Sequence, residues 1–223
     1  MNPGPLIPLL VSLKVAAMAT ALILPPGIYL GWLLARREIP GKTVVETLTA
    51  LPLILPPTAI GYLLLQLLAR DGPLGEKSTG LDLGLLLTWK GAAVASAIMA
   101  LPLVARTARA AFERVDPRLE GVARTLGMGP WRTFLSVTVP LARPGLLAAA
   151  ILGFGRALGE FGATIIVAGN IPGRTQTLAL AIFTEMQLGH DREAMVLVGI
   201  TVLLAFVAIG IVESLMRGNR RPT

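Results

Sequence analysis

The chain has 223 residues, 54% of them hydrophobic and only 15% charged, with a mean hydropathy of +0.71. That balance excludes an ordinary soluble domain and reads as an integral membrane protein. The net charge of +7 does not indicate a nucleic-acid partner, because the basic residues gather in particular loops, as membrane orientation requires, and three Trp, two Tyr and six Phe offer little surface for base stacking. With no cysteine there is no disulfide framework and no thiol chemistry.

The first apolar segment covers 6–35 and is interrupted only by Lys14. It exceeds the ~7–15 apolar residues of a signal-peptide core and reads as a retained span. Pro25-Pro26-Gly27 is expected to kink or break it, since proline removes a helix hydrogen bond and crowds the preceding turn. Arg36, Arg37 and Lys42 follow and mark the cytoplasmic side. Gly41-Lys42-Thr43 resembles the end of a phosphate-binding loop, but Arg36 stands at the upstream glycine position and no strand precedes it, so nucleotide binding is rejected.

The second span, 44–69, contains Pro52, Pro56, Pro57 and Gly61, and its Ile-Leu-Pro-Pro at 54–57 repeats that at 23–26. Paired interrupted spans point toward a substrate path, whereas two unrelated proline kinks would merely shape a bundle. A polar glycine-rich loop precedes the third span, 84–104, which has Trp89 at the interface and Lys90 placed to snorkel outward. An arginine-dense stretch follows, with Asp116-Pro117 as a helix breaker.

The stretch 119–140 lies between two apolar segments. Leu119, Val122, Ala123 and Leu126 recur at i, i+3, i+4 and i+7, one apolar face of a short helix. Gly127 stands where such a helix ends in the left-handed conformation, and Pro130 suits the first position of a second short helix. The two helices would form a knob that docks in a groove of another protein.

The fourth span, 144–168, carries Gly155, Gly159 and Gly162 on a small-residue face that suits close helix approach. Arg156 and Glu160 lie within the same span, four residues apart. Charges at that depth face the bundle interior or a water-filled cavity, so the pair either fixes helix packing or belongs to a gate or path. Leu178–Leu188 is helix-compatible but short for a span and close to charge, and the single histidine, His190, reads as a solvated loop residue without metal-ligand spacing. The last span is 194–216, followed by the basic residues Arg217, Arg220 and Arg221. Five spans with an inward basic tail place the N-terminus outside, so that every arginine-rich loop falls inside.

The stretch 119–140 resembles the cytoplasmic loop of bacterial ABC importer permeases, whose pattern is Glu-Ala-Ala, three residues, Gly, nine residues, Ile, any residue, Leu-Pro. The matching positions are Gly121-Val122-Ala123, Gly127 and Val137-Thr138-Val139-Pro140. The spacing from glycine to proline is intact, but Gly121 replaces the acidic residue and Glu120 stands one place early. Ser12-Leu13-Lys14-Val15, Leu53-Ile54-Leu55-Pro56-Pro57 and Asn170-Ile171-Pro172-Gly173 resemble the molybdate branch of these permeases, while Gly159-Glu160-Phe161-Gly162 is shared with the sulfate branch.

The resemblance implies an all-α integral membrane fold of about five transmembrane helices, forming one permease domain over 1–223 with a cytoplasmic coupling loop. It implies a translocation subunit rather than an enzyme, set in a bacterial inner membrane and importing molybdate or the similar tungstate, with sulfate the nearest alternative. Expected partners are an ABC ATPase subunit that holds ATP and magnesium, a second copy of the permease, an extracytoplasmic oxyanion-binding protein, and lipid; no cofactor or metal is expected on this chain. The coupling candidates are Glu120, Gly121, Val122, Ala123, Gly127, Val137, Val139 and Pro140. Pro56, Pro57, Arg156, Glu160 and Thr164 are candidates for the path or gate. A passive channel would need no docking knob, and Arg156 with Glu160 does not make a catalytic set.

Overall fold

The computed structural model describes residues 4–80 and 83–218, excepting the side chains of 215–218, so Arg220 and Arg221 lie outside it. Every regular element among these residues is a helix. Among the described residues four helices are long and apolar enough to cross a membrane, and a bent helix pair makes five candidates in all. α1 is Leu6–Arg36, and α2 (Lys42–Ile54) with α3 (Pro57–Leu68) forms a bent pair; the short α4 (Glu76–Thr79) follows in a loop. α5 is Trp89–Glu113, α6 is Pro117–Thr125, and α7 runs through 29 residues as Pro130–Leu158. α8 (Gly162–Ala168), α9 (Leu178–Gln187) and α10 (Asp191–Gly218) complete the chain.

The directions of these helices follow from their end contacts. Lys14 near the start of α1 lies over the ring of Trp89 at the start of α5, 3.8 Å from its centroid. At the other end, Arg36 donates to the carbonyl of Val115 at 2.7 Å. α1 and α5 are therefore parallel, and the chain between them must return along their length. That return is made by α2 and α3, which are bent by 110° at Leu55-Pro56. α7 runs antiparallel to α5, because Gly145 meets Ala111 while Gly153 meets Val104.

The core is made of small side chains. Ala92, Ala93, Ala95, Ala97, Ala100, Ala105 and Ala108 of α5 are buried, and α1 presses Gly27 and Gly31 against Val104 and Ala108. Lipid gives no hydrophobic drive for helix association, so small residues that let backbones approach are the natural adhesive.

Four sequence expectations change. Pro25 and Pro26 lie inside a continuous α1, not at a break, because the packed neighbour α5 supports the helix that two prolines weaken. The span expected over 44–69 is two helices at a sharp angle. The helix expected over 84–104 starts at Trp89 and continues to Glu113. The span expected over 144–168 starts at Pro130 and ends at Leu158, with α8 beginning only after Gly159-Glu160-Phe161. Leu178–Gln187 forms a helix whose Leu178, Leu180 and Ala181 are buried; it is shorter than a span.

Candidate functional site

Two places gather the residues that the sequence singles out. The first is the docking stretch. Asp116 caps α6, accepting from the amide of Arg118 at 2.9 Å, and Pro117 takes the first helical position. At the other end the amide of Met128 donates to Ala123 O (3.1 Å) and that of Gly127 to Arg124 O (3.0 Å). These two bonds are the paired closure of a helix ending on a left-handed residue, and Gly127 supplies it at φ 84°. Space around a Cβ at Gly127 is open, so the constraint within this chain is backbone conformation.

The expected apolar face divides. Ala123 is buried against the body, whereas Leu119, Val122 and Leu126 are exposed, Leu126 by 78%, with Trp131 and Leu135 exposed nearby. The second short helix of the expected knob is instead the first turn of α7. A wide π turn at Phe134–Thr138 interrupts that helix just before Pro140, whose ring would otherwise crowd the carbonyl of Ser136. Val137 and Val139 are half-buried around this turn, and Pro140 is exposed.

Glu120 points into the protein. Its Oε1 accepts from Thr138 Oγ1 at 2.9 Å and pairs with Arg36 at 3.2 Å. It therefore ties α6 to α1 and to the π turn, and the exposed position of the usual acidic residue is held by Gly121, with open space around it. Sequence spacing alone could not show which way Glu120 turns.

The second place is where the two interrupted spans meet. A Cβ on Gly162 would lie 2.8 Å from Cβ of Pro57, and one on Gly61 would lie 2.9 Å from Cα of Ala163. The start of α8 is thus packed on the start of α3, break against break. Arg156 ends α7, and Glu160 stands in the break rather than on the same helix. Arg156 donates to Glu160 Oε2 at 2.7 Å, while Oε1 accepts the amide of Ala163 at 3.0 Å. Glu160 therefore neutralises Arg156 and holds an otherwise unpaired amide at the start of α8. Thr164 on α8 is fully buried, and its hydroxyl has no hydrogen-bond partner among the described residues.

The depth of this junction follows from its neighbours. Gly153 meets Val104, an interior residue of α5, and Arg156 lies about one turn further along α7. The Glu160 side chain is 2% exposed, but that of Arg156 is 30% exposed, and Pro56, Pro57, Gly155 and Gly159 are open on the surface of the single chain. No atom outside the local helix lies near Gly155, and only the Gly155 carbonyl lies near Gly159, so within one chain these two do not serve helix packing; Gly162 does. Gly27 and Gly31, which the sequence reading assigned no packing role, do the close packing of α1 on α5.

Comparison with known proteins agrees with this frame. Residues 27–218 match the family model described as binding-protein-dependent transport system inner membrane component. The molybdenum transport system permease protein ModB of Escherichia coli (strain K12) is 44% identical over 213 residues, covering 95% of this chain and 93% of that protein. The sulfate transport system permease protein CysT of the same strain is 39% identical over 161 residues, covering 72% of this chain and 58% of that protein. Among solved structures, an inward-facing MetNI methionine ABC transporter chain matches with TM-score 0.63 at 20% identity, covering 95% of this chain and 94% of that one, which speaks for the fold alone. This chain belongs to the family of binding-protein-dependent transport system inner membrane components.

Proposed function

We propose that this chain is the permease subunit of an ATP-driven importer that takes up molybdate by alternating access. The observation that carries the substrate is the likeness to ModB, which extends across nearly the whole of both chains, whereas CysT aligns over a shorter part. Tungstate, a tetrahedral dianion of similar size, is an expected competitor.

The oxyanion path runs past the junction of the two broken spans. A cation at mid-depth is too costly to face lipid, so the exposed side of Arg156 meets water or a second subunit. A second copy of this permease would close the open face of Gly155, Arg156 and Gly159. Arg156 offers guanidinium donors to a passing dianion while Glu160 keeps the site from holding it too tightly. Pro56, Pro57 and Thr164 border the same junction.

The exposed stripe of Leu119, Val122, Leu126 and Trp131 is the seat for an ABC ATPase subunit, which carries the ATP and magnesium. An extracytoplasmic binding protein delivers the oxyanion, and the N-terminus lies outside. Closure of the ATPases would push α6, and Glu120 would pass that movement to α1 through Arg36 and to α7 through Thr138. Nucleotide shifts the equilibrium only by binding one state more tightly than the other.

The test is labelled molybdate uptake into vesicles holding this chain, its ATPase and its binding protein, with tungstate and sulfate as competitors. ATP-dependent uptake that tungstate suppresses and sulfate does not is the expected result. Uptake blocked by sulfate but indifferent to tungstate would overturn the assignment.

A further inference from the structure

One cavity lies behind the docking stretch, where it meets α1. It measures about 640 Å³ and opens between the inner end of α1, the helix α6 and the first turns of α7. Its walls include Arg36, Arg37 and Arg124, against one carboxylate, Glu120, and two aromatic rings, Trp32 and Phe134. Three guanidinium groups and one carboxylate leave a surplus of two positive charges around a concave space.

The arginines are only partly engaged. Arg36 gives one nitrogen to Val115 O and Glu120, while its Nε is buried without a hydrogen-bond partner. Arg37 lies over the ring of Trp32 at 5.7 Å, and neither Arg37 nor Arg124 has an ion-pair partner among the described residues. The carboxylate is engaged through one oxygen, since Glu120 Oε1 both pairs with Arg36 and accepts from Thr138. Guanidinium forks are matched to the oxygens of phosphate-like groups, and bonds to such charged acceptors are about twice as strong as neutral ones. Trp32 packs edge-on to Phe134 at 5.4 Å, giving the space an apolar wall beside its charged one. A tryptophan at the end of a span marks the depth of the headgroups.

We propose that this cavity binds a phosphate-type oxyanion group, and that the group is the phosphate of an anionic phospholipid. Its oxygens engage Arg37 and Arg124, with the charge of Arg36 in the wall behind them, and the acyl side lies along Trp32 and Phe134. Bound there, the lipid joins α1 to α6 and braces the docking helix. The inference does not depend on which oxyanion the transporter carries, so failure of the uptake experiment leaves it standing.

The experiment uses the purified full chain in two arms. In the first, native mass spectrometry counts phosphatidylglycerol retained against phosphatidylcholine. In the second, melting is followed in lipid-free micelles with and without inorganic phosphate. Arg37→Gln and Arg124→Gln, both at exposed positions, should each weaken retention of phosphatidylglycerol about tenfold, the worth of one charge-assisted bond. Arg132→Gln, on the same loop but outside the cavity, should change nothing. Protection by inorganic phosphate that both cavity variants abolish, without lipid selectivity, would support the oxyanion site and reassign its source to a free anion. Equal retention of both lipids in every variant, with no phosphate effect, would overturn the proposal.

Discussion

Ile-Leu-Pro-Pro at 23–26 and Ile-Leu-Pro-Pro at 54–57 fold in opposite ways. The first runs through the middle of a 31-residue helix. In the second, Leu55 is extended at φ −71° and ψ 142°, Pro57 begins a new helix, and the chain turns by 110°. The local cost is the same in both, because each proline removes an amide and disfavours the helical conformation of the residue before it. The surroundings differ. Ile23 is 8% exposed beside Gly27 and Gly31, which lie tight on α5, so keeping α1 continuous gains a long packed face. Ile54 is 80% exposed, and the contacts beyond it, Pro57 with Gly162 and Gly61 with Ala163, exist only if α3 leaves the line of α2. Local sequence sets the strain, and tertiary packing decides whether the chain bends to relieve it.

The strongest way to break this comparison is to remove the contact that rewards the bend. Gly162→Leu forces a side chain into Pro57, where overpacking costs about 1–3 kcal/mol, and should abolish uptake. Gly155→Leu, with open space around it within one chain, should leave the fold of the single chain intact. Equal uptake by the parent and Gly162→Leu would show that the junction is not part of the path.

Exchanging the prolines sharpens the contrast. Pro25→Ala with Pro26→Ala restores two amides to a continuous helix, should raise stability by about 1 kcal/mol or more, and should leave uptake unchanged. Pro56→Ala with Pro57→Ala should keep the chain folded while uptake falls, because α2 and α3 can then run on toward a straight helix. Melting curves and vesicle uptake on both pairs decide it.

At the docking stretch, the relation between sequence and structure is more direct. Asp116, Pro117 and Gly127 act within one or two turns, and their cap, first-turn and left-handed roles are readable from spacing alone. A side chain at Gly127 meets about 1–2 kcal/mol of backbone strain and projects toward any partner seated there. Gly127→Asp is therefore expected to leave the chain in the membrane but to uncouple ATP hydrolysis from uptake. Normal uptake with normal ATPase attachment would remove this role.

Features set by distant neighbours were the ones that sequence did not disclose. Glu120 lies 84 positions from Arg36, and only the fold brings their side chains together. The Gly155 and Gly159 spacing fits a close helix contact, yet nothing within the chain approaches them, while Gly27 and Gly31 have that contact because α5 offers alanines opposite. Glu160, spaced for a pair on one helix, instead sits in a break and caps the next helix.

The smallest functional effects are expected from topology probes, which the cysteine-free chain makes simple. Cysteine at Ser78, in the loop after the bent pair, should react with an impermeant thiol reagent in intact cells. Cysteine at Thr125, on α6, should react only after permeabilisation. Reaction of both from the same side would mean that α5, the helix between them, does not cross the bilayer.

The central claim is that Arg156 and Glu160 serve passage of the oxyanion and not only the fold, and removing them separately and together tests it most directly. Arg156→Met strands a nearly fully buried carboxylate and should cost the more, up to about 3–5 kcal/mol. Glu160→Gln should cost less, because Arg156 still reaches water and glutamine can still accept the Ala163 amide. Arg156→Met with Glu160→Leu leaves no stranded charge, so melting and assembly should largely recover. The account predicts that molybdate uptake by this double variant stays well below that of the parent; full stability with full uptake would contradict it.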